Sequence, residues 1–393
     1  MKLVHYMPRI VASEGGTPRA VMDMCALLAA RDNHLTLLLQ DGPDIPEPWR
    51  TDTPGLPRVL ELGSGSRPLA RLGDDQLERA DALLADADAL HLHCMWQPEH
   101  AQLARRARAR DIPVVLTPHG HLDNWPMSQH ALKKRLFLLA FGRAIFANTS
   151  AIHCTAEAER DQTAPRVRGV PVHVVPLPFD VSPFQTLPGE HGATEALDLP
   201  ARPAPVVLFI SRLHEKKRPD IALRAFARAA PDDAVLVLAG TGTPRATAEL
   251  EALARSLAIA DRTRFAGHVS GDLKVSLYQR ADAMLLPTSQ ENFGLVIPEA
   301  LACRTPVVTT RGVDIWPTIQ REAGAAIVEQ SVGAFSDALA ALLDNPDHRE
   351  SLGERGRSWV LEHLDGRKTA QRLESLYRLL RDPAPIPTER HAP

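Results

Sequence analysis

The chain has 393 residues, a formal net charge of −3, 44% hydrophobic and 24% charged residues. A single hydrophobic core stops growing beyond roughly 250–300 residues, so two domains are the default expectation. The composition excludes a disordered chain, a collagen-like fibre and a disulfide scaffold, and the near-zero charge argues against a general nucleic-acid partner.

Met1 leads directly into a strand-like run, Leu3-Val4-His5-Tyr6, with no basic stretch and apolar segment ahead of it. No signal peptide is expected, and the cytosol is the expected location. Gly15 and Gly16 open a loop, and residues 18–31 read as a helix with Ala20, Val21, Met24, Leu27 and Leu28 near a period of 3.6. Residues 35–39, 89–92, 114–116 and 152–154 read as further strands, with helices over 99–110 and 129–147. Strands alternating with helices predict parallel βαβ units. Residues 184–205 are rich in Pro and Gly without clear periodicity and read as an interdomain linker. A second alternating series follows, with strands over 206–210, 235–239, 263–265, 283–286, 305–309 and 325–328.

The expected organisation is thus an N-terminal domain over 1–183, the linker, and a C-terminal domain over 206–360. A helix over 361–382 packs back toward the N-terminal domain, and a tail covers 383–393. The fold class is α/β, two Rossmann-like doubly wound parallel-sheet domains facing a cleft. Ligands of such sheets bind at the carboxyl ends of the strands, so the loops there matter most. Cys25, Cys94, Cys154 and Cys303 are widely spaced, without a C-x-x-C pair, so neither structural zinc nor a redox motif is expected. No apolar run reaches about 18 residues, so no membrane-spanning helix is expected.

Four strand-end segments carry the chemistry. In LLPTSQENFGLVIPEA, two carboxylates, Glu291 and Glu299, bracket a loop and a helix N-terminus, whose open N–H groups suit an anion. On spacing alone, a solvated loop Glu291 and a dipole-complementing Glu299 explain the pattern equally well. FISRLHEKKRPD puts Arg212 and Lys216, Lys217 and Arg218 between a strand and a helix, as a phosphate site or a merely solvated basic loop. SEGGTPR repeats the strand–Gly-loop–helix pattern without G-x-G-x-x-G. TPHGHLD places His119 at the end of a strand.

In this order and spacing, the segments resemble the retaining GT-B glycosyltransferases of family four, over nearly the whole chain. The match is strongest from Val206 to Ala326, around the E-x7-E pattern with its Phe-Gly and E-A-L-A. EGGTPRAV and TPHGHLDNWPMSQHALKKRLF resemble members that build bacterial surface polysaccharides. The resemblance implies a hexose donor linked to UDP or GDP as co-substrate and no cofactor or metal. Arg212 and Lys217 would neutralise the donor diphosphate, Glu299 would hold the ribose, and Glu291 would bind sugar hydroxyls. The amides of Phe293, Gly294 and Leu295 would touch sugar or phosphate, and Gly16 would allow close approach to the diphosphate. Gly240, Gly242, His268 and Val269 would line the base. His119 would contact the transferred sugar and the reacting centre, and His121, Asp123 and Asn124 would meet a glycan or lipid-linked acceptor. Arg311-Gly312-Val313-Asp314-Ile315-Trp316 departs from the family pattern, and its role stays open. Retention by front-face attack, the leaving phosphate helping to deprotonate the acceptor, is also taken from the resemblance.

Asp86-Ala87-Asp88 has D-x-D spacing but precedes a strand, and His91, His93 and Cys94 are read as pocket or core residues rather than metal ligands. Residues 129–148 combine Lys133, Lys134, Arg135 and Arg143 with Leu132, Leu136, Phe137, Leu139, Phe141 and Phe146, and Arg105, Arg106, Arg108 and Arg110 cluster on another helix. Peripheral contact with an anionic membrane at the inner face of the cell membrane is one reading; an ordinary helix with one buried face is the other. Two further functions stay open: a sugar-nucleotide epimerase on the same fold, and a non-catalytic nucleotide-sugar-binding protein.

Overall fold

The computed structural model describes residues 1–11, 15–63, 71–167 and 169–382. Ser13 and Glu14 of the first Gly-loop and the tail over 383–393 lie outside the described residues. The chain divides into two compact units: one of Met1–Thr155, Glu159–Phe179 and the stretch from Gly366 onward, the other of Ala156–Ala158 and Asp180–Asp365.

The first unit is built on a seven-stranded parallel sheet. Its strands are β1 (Lys2–Tyr6), β2 (His34–Leu39), β3 (Arg58–Glu61), β4 (Ala89–His93), β5 (Val114–Thr117), β6 (Ala151–Cys154) and β7 (Val172–Val174), in the order β3-β2-β1-β4-β5-β6-β7. The central strands are buried on both faces, which is why they read as nearly continuous apolar runs. The edge strands β3 and β7 are short and half-buried, and the sequence pattern does not reveal them. The order reverses between β1 and β4, so a crevice opens beyond their carboxyl ends. Helix Gly366–Arg381 belongs to this unit. Arg31 and Asn33 both donate to Glu374, at 3.0 and 2.7 Å, which fastens it beside helix Gly16–Ala29.

The second unit has six parallel strands: β8 (Val206–Ile210), β9 (Val235–Ala239), β10 (Thr263–Gly267), β11 (Ala283–Leu286), β12 (Val307–Thr309) and β13 (Ala326–Ile327). Their order is β10-β9-β8-β11-β12-β13, with the reversal between β8 and β11. The core is Val207, Phe209, Leu236, Leu238 and Leu285 against helices Pro219–Ala229 and Val332–Leu343.

The stretch over 184–205 is not a free linker. Helix His191–Ala196 lies against helix Gly271–Arg280, where the Ala193 amide donates to Ser276 Oγ at 2.8 Å. Arg202 donates to Asp282 at 2.9 Å, and the fully buried Arg280 donates to the Pro200 and Ala204 carbonyls at 2.7 Å. Three side chains distant in sequence tie down a segment whose own composition reads as loose.

Candidate active site

In the second unit, the two most informative segments leave the sheet on either side of its reversal. After β8, Arg212 is exposed and makes no ion pair with any of the described residues. The chain then makes a short turn over Glu215–Lys217, capped by His214 Nδ1, which accepts from the Lys216 amide at 3.1 Å. This turn buries Lys217 and aims its ammonium at the Glu291 carboxylate, with which it forms an ion pair. Arg218 is spent differently. It donates through both Nε and Nη2 to Asp220 at 2.8 Å, so it does not join the expected phosphate set.

After β11, the loop carrying Glu291 is pinned from two sides. The Ser289 amide donates to the Lys216 carbonyl at 2.8 Å. The Glu291 amide donates to the Gly312 carbonyl at 2.8 Å, and the Asp314 amide donates back to the Glu291 carbonyl at 3.0 Å. The segment from Arg311 to Trp316, unassigned from sequence, thus holds Glu291 in register. A Cβ on Gly312 would lie 2.7 Å from the Ser289 carbonyl oxygen, so the approach requires glycine. Beside it lies a cavity of about 160 Å³ lined in part by Ser289, Thr310, Arg311 and Gln330. Gly294 turns the chain at φ +67° into helix Val296–Ala302. The amides of Phe293, Gly294 and Leu295 donate to none of the described residues. Glu299, in the first turn, accepts from Tyr278 O–H at 2.8 Å and pairs with Lys274 at 2.6 Å. Tyr278 and Lys274 were missed from sequence because they come from the preceding helix. Burial, followed by the Glu299 charge, pushes the Tyr278 phenol well above its ordinary range, so it stays a donor.

Gly240 ends β9 at φ +135°, and a Cβ there would lie 2.0 Å from the Ser211 carbonyl oxygen. Gly242 makes a similar approach to Leu213. Val269 is buried and His268 exposed beyond β10.

In the first unit, Gly16 begins helix Gly16–Ala29, which has no acidic residue in its first turn. His119 follows β5 in a left-handed conformation, φ 52°, with Gly120 at φ 73°. The buried Glu159 carboxylate holds this turn, accepting from the Gly120 amide at 2.7 Å and from the Thr155 amide and hydroxyl. His119 Nε2 lies 3.1 Å from His93 Nδ1. Burial first, then His153 and His121, push the His119 imidazole down to about 3, so it is neutral at pH 7. The residues expected at the acceptor have partners within the first unit. His121 Nδ1 accepts from the Met95 amide at 3.1 Å, Asn124 Oδ1 accepts from Arg166 at 2.7 Å, and the buried Asp123 is the residue before helix Asn124–Ser128.

Asp86 and Asp88 of the D-x-D pair with Lys2 and with Arg381, the latter at 2.9 Å. Among the described residues, His5, His91 and His93 are the group whose ligand atoms lie close enough for a metal, within 4.8 Å of one another. All six of their ring nitrogens already have hydrogen-bond partners.

Residues 199–359 match the family model described as glycosyl transferases group 1, and residues 15–179 match the one described as glycosyl transferase 4-like domain. The D-inositol 3-phosphate glycosyltransferase of Actinosynnema mirum is 28% identical over 364 residues, 82% of this chain and 86% of its own length. Sucrose-phosphate synthase from Thermosynechococcus elongatus has a TM-score of 0.79 at 21% identity, over 97% of this chain and 99% of that one. Anabaena HepE, solved with UDP-glucose, gives 0.72 at 18% identity, over 96% and 100%. The solved structures share the fold, and the two family models match stretches of both units; the chain belongs to the family-four glycosyltransferases and has the GT-B fold.

Proposed function

We propose that the chain moves a hexosyl group from a nucleoside diphosphate sugar to a hydroxyl of a glycan or lipid-linked acceptor, with retention and without a metal ion, in building a bacterial surface polysaccharide. The observation that carries this reading is the Lys217–Glu291 pair beside the exposed Arg212 and the open amides of Phe293, Gly294 and Leu295. Cations and N–H groups fixed in advance are what a departing diphosphate needs as charge develops on it. With donor bound, the β-phosphate draws on Lys217 and Arg212, and Glu291 turns to sugar hydroxyls. Glu299, steadied by Tyr278 and Lys274, takes the ribose. In the transfer, the anomeric C–O bond to the β-phosphate breaks and a new one forms to the acceptor oxygen on the same face. The acceptor proton passes to the departing phosphate oxygen, and the nucleoside diphosphate leaves. His119 meets the transferred sugar.

Exposed leucines support attachment to a membrane. Leu132, Leu136 and Leu139 are 73%, 57% and 79% exposed on the helical stretch from Ala131 to Ala147, with Lys133 and Arg135 beside them. The opposite face packs Phe137, Leu138 and Phe141 against the core. Lys134 turns inward over Trp96, and Arg106 and Arg110 pair with Asp81, so the basic surface is smaller than the sequence suggests.

The test is a panel of UDP- and GDP-hexoses with and without acceptor, read as nucleoside diphosphate release. UDP-glucose comes first because HepE was solved with it, and a polyol phosphate is the first soluble acceptor because of the relatives' names. Release that requires acceptor is expected. Lys217→Ala should lower turnover by about a hundredfold or more. Full activity in that variant refutes the donor-site assignment, and release without acceptor favours the epimerase.

A further inference from the structure

A string of buried side chains runs from His119 into the first unit, and its far end fixes the direction of each hydrogen bond along it. His153 Nε2 lies 2.7 Å from the Val175 carbonyl oxygen, which can only accept. That nitrogen therefore carries the proton, and in a neutral ring Nδ1 does not. His153 Nδ1 then accepts from the Thr117 hydroxyl at 2.8 Å. With its one proton so placed, Thr117 Oγ1 accepts from His91 Nε2 at 2.6 Å. His91 Nδ1 is bare and accepts from Tyr377 O–H at 2.6 Å. The Tyr377 oxygen accepts in turn from His5 Nε2 at 3.3 Å. His5 Nδ1 accepts from His93 Nε2 at 3.0 Å, and His93 Nδ1 accepts from His119 Nε2 at 3.1 Å.

Two features are compatible with this direction. Cys25 Sγ lies 3.7 Å from the same His5 Nδ1, and its buried, protonated thiol can donate to a bare nitrogen or accept from a protonated one. Burial also keeps the rings neutral. His5 and His119 are pushed down to about 3 and His153 to about 4, and His91 and His93 are held well below their ordinary range by burial and by one another. Reversing the string would set two lone pairs against each other at His153 and Val175. The loss of one buried hydrogen bond corresponds to about a ten- to hundredfold preference for the stated direction.

We infer that this string locks His119 as the Nε2–H tautomer, leaving its Nδ1, which none of the described residues hydrogen-bonds, as a fixed acceptor for a ligand hydroxyl. His93, His5, Tyr377, His91, Thr117 and His153 are positioning residues for it. The functional half rests on the proposed contact of His119 with the donor sugar. A sugar hydroxyl must donate to Nδ1, and a donor analogue lacking that hydroxyl loses this preference.

The experiment is two-bond proton–nitrogen NMR on the full chain labelled with ¹⁵N-histidine, with His119→Gln used to assign His119. Wild type and Thr117→Ser, which keeps the hydroxyl, are expected to show His119 protonated at Nε2 and bare at Nδ1 at pH 7. Thr117→Val and Tyr377→Phe cut the string beyond His5 or His91, so the remaining segment can run either way. His119 is then expected as a mixture of tautomers, with the fold checked by circular dichroism. Donor kcat/KM should fall about three- to tenfold in Thr117→Val and return in Thr117→Ser. Discrimination against the deoxy donor should shrink in parallel. A wild-type His119 protonated at Nδ1 or charged overturns the inference, as does a His119 tautomer indifferent to both string-breaking variants. Stoichiometric transition metal held by the purified protein on His5, His91 and His93 overturns it too. The stated tautomer shift without any change in kcat/KM leaves the string standing and refutes the contact of His119 with the sugar.

Discussion

Gly240→Ala tests whether the donor-side loops depend on one backbone approach. At φ +135° an alanine is strained, costing about 1–3 kcal/mol. Its methyl would also lie 2.0 Å from the Ser211 carbonyl oxygen and 2.8 Å from the carbonyl carbon. Both partners are backbone, so no rotamer change relieves the clash. The ends of β8 and β9 must separate, breaking the bond from the Ser211 amide to the Ala239 carbonyl, now 3.0 Å. Overpacking of this kind adds about 1–3 kcal/mol. A total of about 4 kcal/mol, at about 2–4 °C per kcal/mol for a unit of this size, lowers the melting temperature of the second unit by about 8–16 °C. Ser211 precedes Arg212, so affinity for nucleoside diphosphate should fall as well. Gly267→Ala is the matched control. Its φ of +64° is also left-handed, but a Cβ there has nothing within 4 Å, so only about 1–2 kcal/mol of conformational cost applies. Calorimetry of the full chain with and without UDP measures both. If Gly240→Ala melts no lower than Gly267→Ala, the close approach is not what demands glycine, and the reasoning fails.

Acid should unfold the first unit before the second. Unfolding returns His5, His91, His93, His100, His119 and His153 to values near 6.5, so below that pH the unfolded chain takes up protons the folded unit refuses, and stability falls as pH falls. Each contributes a loss of up to about 1.4 kcal/mol per pH unit between about 6.5 and its depressed value. Burial raises Glu99, which works in the opposite sense because its proton is retained on folding, but one carboxyl does not offset six imidazoles. Hydrogen exchange at pH 5 against pH 7 reads this out, and equal loss of protection in both units would refute it. For the membrane surface, co-sedimentation with anionic vesicles at low salt is expected for wild type and is expected to drop about tenfold or more when Leu132, Leu136 and Leu139 all become Ser, since each inserted leucine contributes about 1.5–3 kcal/mol. Wild type staying in the supernatant would remove the membrane reading.

The parts of the site legible in sequence are those built locally. A buried strand followed by a polar loop and a helix start announces itself within about twenty residues, and both donor-side segments have that form. Arg218 instead reads with the basic phosphate set, whereas the first-turn carboxylate of Asp220 captures it. What sequence could not show is pairing over distance. Lys217 meets Glu291 across 74 positions, and Tyr377 meets His5 across 372. The short strands β3 and β7 are half-buried edges whose few residues carry no firm alternation. The Pro-rich stretch over 184–205 reads as loose because two of the side chains that order it, Asp282 and Arg280, lie far outside it in sequence.

The two sheets reverse at equivalent places, yet each carries a different chemistry at its own reversal. Beyond β8 and β11 stand Arg212, Lys217, Glu291 and Glu299, charged groups suited to a diphosphate and a ribose. Beside β1 and β4 stand imidazoles held neutral by burial. The difference has a chemical consequence in the proposed reaction. Breaking the bond at the anomeric carbon leaves positive charge on the sugar ring, so a cation at His119 would oppose the step. A neutral ring with a fixed lone pair accepts a sugar hydroxyl instead, which adds electron density where the charge grows. Burial alone achieves neutrality. It is the Val175 carbonyl, seven partners along the string, that decides which nitrogen keeps the lone pair.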